Sequence, residues 1–377
     1  MNEIKQGYKQ TDIGVIPEDW KEGKIRNFCS MKSGNSITSE RISERGEFPC
    51  YGGNGLRGYT NKFTHSGKYT LVGRQGALCG NVNYVNSKFF ASEHAIVTTP
   101  FSNSDALFLA HAFERMNLNQ YTESSAQPGL SVNKVLDLPF GCPPTLTEQI
   151  AIATALSDVD ALIAALEKKI TKKQQIKQGT MQQLLTGKKR LPGFSGVWLE
   201  KKLGEIFTIL AGGDLQENFF SKEYSSECKY KVFSNSLIDN GLYGFTSNPR
   251  YPTNCVTITG RGMVGYAECR NEPFDAIVRL LVLIPSININ CYLTSEIINH
   301  CINFQMESTG VPQLTVPKAS NAEICYPETE SEQTAIAQVL TDMDNEIEQL
   351  QADRNKYKQI KAGMMQQLLT GKIRING

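Results

Sequence analysis

A near-identical segment occurs twice in this chain. QGTMQQLLTGKKRL at 178–191 returns as AGMMQQLLTGKIRI at 362–375, which is 184 residues later. The similarity extends without a gap over 147–191 and 331–375. A chain that carries the same long segment twice is built from two similar units, so its functional residues are expected in pairs.

Both copies have the apolar spacing of a long helix that packs against another helix. The apolar residues alternate spacings of four and three, which is the seam of a coiled coil. In the first copy they are Ile152, Leu156, Val159, Ile163, Leu166 and Ile170, and in the second Ile336, Leu340, Met343, Ile347 and Leu350. We predict that the two helices pair with each other as a coiled coil.

The ends of both helices can be predicted from the residues that flank them. Thr147 and Ser331 are capping residues that follow prolines, and Gly187 and Gly371 supply the stop after each QQLL. Helices of roughly 35 to 40 residues follow, about 55 to 60 Å long. The predicted domains are a first head at 1–146, a central spacer helix at 147–187, a second head at 188–330 and a C-terminal spacer helix at 331–377.

The two heads repeat loosely. GLRGY at 55–59 aligns with GLYGF at 241–245, and Trp20 with Trp198, but the segments between such positions differ in length. Short runs rich in β-branched residues, such as CVTITG at 255–260, predict strands. The fold class expected is α+β, with two mainly β heads, short helices and a pseudo-twofold internal repeat. Heads that share a scaffold but not loops are expected to bind different ligands.

Composition narrows the class of protein. The 377 residues include 40% hydrophobic residues and carry a net charge of +1, so the chain is not one that binds nucleic acid by bulk charge. The N-terminus lacks the apolar core of a signal peptide and no apolar run approaches the length of a membrane span, so we expect a cytoplasmic protein without a membrane. Ten scattered cysteines and four scattered histidines predict reduced, buried thiols and no metal site.

One stretch is strongly basic, although the chain as a whole is nearly neutral. The segment from Glu167 to Arg190 contains eight basic residues and one acidic residue, Glu167. They are Lys168, Lys169, Lys172, Lys173, Lys177, Lys188, Lys189 and Arg190. This face could be solvated, touch phosphate or meet acidic patches on a partner protein.

Glycine-rich turns provide the candidate ligand-binding residues. GRGMVG at 260–265 matches a dinucleotide fingerprint, but no helical pattern follows it, and GRQGALCG at 73–80 keeps only Gly-Arg and a later glycine. A guanidinium on such a turn can reach a base edge or a phosphate, or it can brace the turn. The candidate DNA-binding residues are Arg74, Asn54, Arg57 and Gln127 in the first head, and Arg261, Asn235, Tyr243 and Arg250 in the second.

Motifs for catalysis are missing from the sequence. TGKK and TGKI lack the upstream glycine of a phosphate-binding loop, and CPPT at 142–145 is not the tetrapeptide of amino-methyltransferases. We therefore expect no catalytic residues and no enzyme activity in this chain.

The arrangement resembles the specificity subunit of a type I restriction-modification enzyme. The resemblance rests on PPTLTEQIAIATALSDVDALI, on MQQLLTGKKRLPGFSGVWLEKKLGEIF and on their second copies, and it covers nearly the whole chain. It implies two target recognition domains that each read one half of a split, asymmetric site in double-stranded DNA. It also implies that the two conserved helices are antiparallel, so that the coiled coil is an antiparallel one, and that they set the distance between the halves.

The same resemblance implies partners and their cofactors. Two methyltransferase subunits would carry S-adenosylmethionine, and restriction subunits would use ATP and Mg, with no cofactor on this chain. We expect the methyltransferases to dock on the helix starts and on the QQLL ends, and we favour them over DNA for the basic stretch. The expected partner-binding residues are Glu148, Gln149, Gln182, Gln183, Glu332, Gln333, Gln366 and Gln367. The alternative is a scaffold that binds no DNA, with two ligand-binding heads on a coiled-coil spacer.

Overall fold

The structure is a computed structural model that describes residues 4–76, 78–122, 128–304 and 313–375. The chain forms two compact units, of which the first comprises Met1–Glu167 and Ala352–Gly377 and the second Lys168–Gln351. Each unit combines one head with part of each long helix. Helix and sheet are mixed, as predicted.

A six-stranded sheet forms the centre of the first head. The elements of this head are β1 (Tyr8–Thr11), β2 (Gly14–Pro17), β3 (Lys21–Lys24), β4 (Cys29–Ser33), β5 (Phe48–Gly52), β6 (Gly55–Thr60), β7 (His65–Gly73), β8 (Val82–Ala91), β9 (Ala95–Pro100), α1 (Ala106–Met116), α2 (Val132–Leu136) and β10 (Pro139–Cys142). The sheet order is β4-β9-β7-β8-β5-β6, with β5 and β8 parallel and the other neighbours antiparallel. Two small antiparallel pairs, β1-β2 and β3-β10, complete the head.

The long helix α3 (Leu146–Leu184) contributes to the core of the first unit. Ile152 and Leu156 are fully buried there with Trp20, Phe108 and Phe113. An 18-residue window of α3 has a mean hydropathy of 1.5, high enough for a membrane span by length and composition. Of that window 28% is buried in this structure, and a single helix of this length and composition is weak evidence for a membrane span.

The second head has the same strand order, split into two sheets. Its elements are β11 (Trp198–Lys202), α4 (Leu203–Ile206), β12 (Phe207–Ala211), β13 (Phe220–Ser221), β14 (Tyr230–Phe233), β15 (Leu242–Thr246), β16 (Cys255–Thr259), β17 (Ala267–Arg270), β18 (Phe274–Ala276), β19 (Leu280–Pro285), α5 (Cys291–Cys301), α6 (Val316–Ser320) and β20 (Glu323–Pro327). One sheet has the order β12-β19-β16-β17 and the other β13-β15-β14-β18, while β11 pairs with β20.

One interruption explains the split. The first head has the continuous ten-residue strand β8, whereas the second has β17 and β18 with Asn271, Glu272 and Pro273 between them. Proline has no N–H to donate to a ladder, so it breaks a strand at this point. The neighbours of the two short strands still match those of β8.

The second long helix, α7 (Glu330–Leu368), is 39 residues long, as is α3. Both begin one residue before the predicted start and leave the helical conformation three residues before the predicted glycine stop. Gly187 and Gly371 then adopt φ of +66° and +70°, and the N–H groups of Lys189 and Ile373 bond back to the carbonyls of Gln183 and Gln367. A left-handed glycine with such a backward bond is a common helix end.

Ion pairs join the long helices within each unit. In the first, Lys358 and Lys361 each lie 2.8 Å from Glu167 and Asp160 respectively. In the second, Lys173 lies 2.7 Å from Glu346 and Lys177 lies 2.6 Å from Asp344. In both units the partner numbers fall as the lysine numbers rise, so the paired segments are antiparallel.

Candidate nucleic-acid interface

The ends of three strands meet at one edge of the first head. The N–H of Arg74, just after β7, donates to the carbonyl of His94 between β8 and β9, at 2.8 Å. Gly53, just after β5, lies so close to Gly73 that a Cβ on Gly73 would overlap the Gly53 carbonyl oxygen. Glycine is needed for this approach. The edge therefore holds Arg74, His94 and, in the next turn, Asn54.

Polar side chains cover this edge. Asn54 and Arg57 are exposed, Arg74 is half-buried, and the Gln75 Oε1 and His94 Nδ1 atoms are 3.0 Å apart. In the part of the chain that the structure describes, neither the Arg57 nor the Arg74 guanidinium forms a side-chain hydrogen bond or an ion pair. The cations that the sequence singled out in this head thus remain available to a ligand.

The second head builds the same edge with different residues. Oδ1 of Asn235 accepts from the N–H groups of Gly260 and Arg261 at 2.6 and 3.3 Å, and its Nδ2 donates to the Arg261 carbonyl. Arg261 and Arg279 are exposed, and a Cβ on Gly260 would overlap the Arg279 carbonyl oxygen. Asn235 therefore braces the turn that presents Arg261. Arg279 occupies the position that His94 has in the first head. Arg279 is not among the candidates predicted from the sequence.

The other predicted DNA-binding residues of the second head have distinct surroundings. Tyr243 on β15 is 39% exposed, with Lys222 Nζ 3.8 Å from its ring centroid. Arg250 is half-buried, and its Nε lies 2.6 Å from Asp275 Oδ1 while its Nη2 donates to two backbone carbonyls. Gln127 of the first head lies outside the described residues. That these residues contact DNA stays a prediction.

Two glutamines fasten the long helices to their heads. Gln149 is fully buried, where its Oε1 accepts from Asp105 N at 2.8 Å and its Nε2 donates to the carbonyls of Asn103 and Pro143. Gln333 does the same, accepting from Asn290 N at 2.9 Å and donating to Pro327 O at 2.8 Å. Their side chains thus have an internal role, and their predicted role in partner binding stays untested.

The neighbouring glutamates pair with arginines from the repeated QQLLTGK segment. Arg374 Nε lies 2.5 Å from Glu148 Oε1, and Arg190 Nε lies 2.5 Å from Glu332 Oε1. Hydrogen bonds to these carboxylates raise the pKa of both arginines, with Asp19 adding to the effect on Arg374. The bond to Arg374 in turn lowers the pKa of Asp19. We call these contacts the arginine clasps. In the sequence, the glutamate and the arginine each recur 184 residues later, and this recurrence could have indicated the pairing.

The remaining predicted docking residues face outward. Gln182, Gln183, Gln366 and Gln367 are exposed on the last turns of α3 and α7. Part of the basic stretch forms ion pairs within the chain, since Lys173, Lys177 and Arg190 are paired with acids. Lys168, Lys169 and Lys172 are exposed. Across the described ranges no group of three or more His, Cys, Asp or Glu residues could hold a metal ion.

Comparison with known proteins identifies the family. The model of the type I restriction modification DNA specificity domain matches twice, at residues 17–178 and 196–359. The specificity subunit of the type I restriction enzyme EcoprrI from Escherichia coli is 39% identical over 169 residues, which span 43% of this chain and only 42% of that protein. A putative type I specificity subunit from Mycoplasma pneumoniae is 25% identical over 83% of this chain and 86% of its own length.

Solved structures share the fold. The S subunit of a type I restriction-modification system from M. genitalium superposes with a TM-score of 0.69, at 18% identity, over 96% of this chain and 97% of that chain. A chain of a type I R-M system superposes with a TM-score of 0.55, at 14% identity, over 95% of this chain and 99% of that chain. The protein belongs to the type I restriction-modification DNA specificity family. Its role is DNA sequence specificity in such a system.

Proposed function

We propose that each head reads one half of a bipartite, asymmetric site in double-stranded DNA. The observation that carries this is the strand-end edge, which occurs once in each head with an arginine at the same turn, Arg74 and Arg261. Around these arginines the neighbours differ, with His94 in one head and Arg279 in the other. Arginine is the commonest reader of guanine edges, and different neighbours favour different sequences.

Exchange of one head tests this assignment. Residues 1–146 are replaced with the first head of another family member, and the chimera is purified with its methyltransferase partner. Methylated adenines are then mapped on a DNA library. We expect one half of the recognised site to change and the other to persist. A change in both halves would contradict the assignment of one head to one half-site.

We further propose that the long helices pair as an antiparallel coiled coil that sets the gap between the half-sites. The ion pairs within each unit and the buried seam residues Ile163, Ile170, Ile347 and Leu350 support this pairing. The proposed domain boundaries follow from it, with heads at 1–146 and 188–330 and spacer helices at 147–187 and 331–377. In this arrangement the helices set the spacing between the half-sites, and the heads determine which sequence is read.

The proposed partners are two methyltransferase subunits and, where the system cleaves DNA, restriction subunits that translocate. S-adenosylmethionine would bind the former and ATP with Mg the latter, while this cytoplasmic chain binds no cofactor and has no catalytic residue. The exposed glutamines at the ends of α3 and α7 are the proposed docking residues, because the same short surface recurs and two identical partners need two identical sites.

The alternative, a scaffold that binds no DNA, is not favoured by the family membership. A single assay separates the two. The chain, reconstituted with its methyltransferase partner, is incubated with genomic DNA and S-adenosylmethionine, and incorporated methyl groups are counted. Methylation at a recurring bipartite sequence is expected. A complex that forms but methylates no DNA would favour the scaffold.

A further inference from the structure

An apolar side chain projects from the arginine-bearing turn of each head. Leu78 lies four residues after Arg74 and is 50% exposed. Met263 lies two residues after Arg261 and is 70% exposed. Each stands two residues before a glycine with positive φ, Gly80 at +87° and Gly265 at +91°. Single exposed apolar residues are common on protein surfaces. The repetition at one structural position, in turns of different sequence, is what sets these two apart.

Hydrogen bonds tie described residues of both turns to the strand that precedes them. In the first head, Gly80 N donates to Gly73 O at 2.8 Å and Cys79 N to Gly76 O at 2.9 Å. In the second, Gly265 N donates to Thr259 O at 2.8 Å, and the Thr259 hydroxyl donates to the Met263 carbonyl. The backbone at each tip is thus tied to the end of a central strand. Leu78 and Met263 therefore lie beside backbone groups that are bonded to a strand end.

The chemistry of the edge restricts what these side chains can touch. Each lies on the same short turn as an exposed or half-buried arginine. A guanidinium binds phosphates and base edges, so this turn is expected to lie against DNA. Leu and Met have no strong hydrogen-bonding group, so neither can read a base edge through donors and acceptors. What remains for them on DNA is the face of a base or the methyl group of thymine. Leu and Met are among the side chains that proteins insert between base pairs.

We propose that Leu78 and Met263 are apolar wedges that insert into the base stack, one at each half-site. This inference rests on the proposed function, since it needs each head to lie on DNA. A partner that modifies a base in duplex DNA has to move that base out of the stack, and this costs unstacking energy. A wedge in the target recognition domain lowers that cost at the site where the sequence has been read.

The test uses the reconstituted complex with its methyltransferase partner. The probe is a duplex with the bipartite sequence obtained from methylated adenines in the host genome, carrying 2-aminopurine in one half-site or the other. We expect the wild-type complex to increase the fluorescence in both halves. Leu78→Ala should abolish the increase in the half read by the first head and weaken binding about tenfold, the size of one lost base contact. Met263→Ala should do so in the other half.

Matched variants control for folding and exposure. Phe101→Ala and Val197→Ala remove apolar side chains that are 44% and 65% exposed away from the turns, and both should leave binding and fluorescence unchanged. Leu78→Met and Met263→Leu keep an apolar tip and should keep the signal. Size-exclusion chromatography of each variant with the methyltransferase reports assembly.

Three results would overturn the wedge. In the first, Leu78→Ala and Met263→Ala bind and perturb the duplex like wild type. In the second, deoxyuridine in place of thymidine weakens binding as much as the alanine variants while 2-aminopurine never responds, which shows contact with a thymine methyl only. In the third, the variants fail to assemble, which makes the tips a protein contact. A wild-type complex that binds no bipartite duplex would instead overturn the proposed function together with the wedge.

Discussion

At the scale of single residues, the arginine clasps make the strongest prediction for stability. Glu148 keeps 8% side-chain exposure and Glu332 1%, so removing the arginine leaves a buried carboxylate without its main partner. Arg374→Ala should lower the free energy of unfolding by about 2 kcal/mol, and Arg190→Ala should lower it as well, both measured by denaturant titration. Lys372→Ala and Lys189→Ala, exposed neighbours in the same segments, are the controls. Equal losses in the lysine variants would show that the clasp contributes nothing.

Asn235 provides a second prediction at this scale, for recognition. Its amide makes the bonds that hold the Gly260–Arg261 turn, so Asn235→Ala should release the turn and weaken reading of the second half-site about tenfold. Binding to duplexes with either half-site scrambled measures the effect on each half. Asn248→Ala, which removes an exposed amide bonded to Gln216, is the control. A loss spread equally over both half-sites would contradict a local role.

At the scale of elements, one buried glutamine in each unit bonds the long helix to its head. Gln149 of α3 satisfies the N–H of Asp105, and Asp105 caps α1 by accepting from Leu107 N and Phe108 N. Gln149→Ala should therefore cost about 2 kcal/mol, because it leaves a buried N–H unpaired. Gln182→Ala on the exposed surface of the same helix should cost almost nothing. Thermal unfolding of the two variants compares them, and an unchanged midpoint for Gln149→Ala would refute the internal role.

At the scale of the whole molecule, the two 39-residue helices lead to a prediction about spacing. Insertion of one heptad in both helices, within 147–187 and 331–371, preserves the apolar seam and adds about 10 Å of helix. We expect the gap between the recognised half-sites to lengthen by about three base pairs while the half-sites stay the same. Methylation mapping measures the gap. A gap of unchanged length would show that the helices do not set it.

Much of the architecture could be predicted from the sequence, because periodicity is a local property. The seam spacing located both long helices to within a few residues, and the glycine after each QQLL marked the turn that ends them. The strand-rich heads followed from short β-branched runs. The split of the second sheet at Pro273 is also local, although the correspondence of β17 and β18 to the single strand β8 required the pairing of strands.

The candidate site could be predicted only in part. Arg74 and Arg261 were found because Gly-Arg recurs at the end of a strand. Arg279 was missed because nothing near it in the sequence repeats, and it reaches the edge only through the packing of Gly260 against its carbonyl. Arg250 looked like a loop cation, but its partner Asp275 lies 25 residues away in the sequence. Ion pairs between distant residues have no local signal.

The sequence by itself determined that this protein is built twice, with two long helices and two diverged heads, since repetition and apolar period are written along the chain. Tertiary structure alone decided which partners the repeated polar residues have inside each unit. The fold uses the side chains of Glu148, Gln149, Glu332 and Gln333 inside the units, while their contact with a partner protein stays a prediction. The reason is physical: a polar group next to a helix start binds whatever donor or acceptor the fold brings to it, and that partner comes from a distant part of the chain.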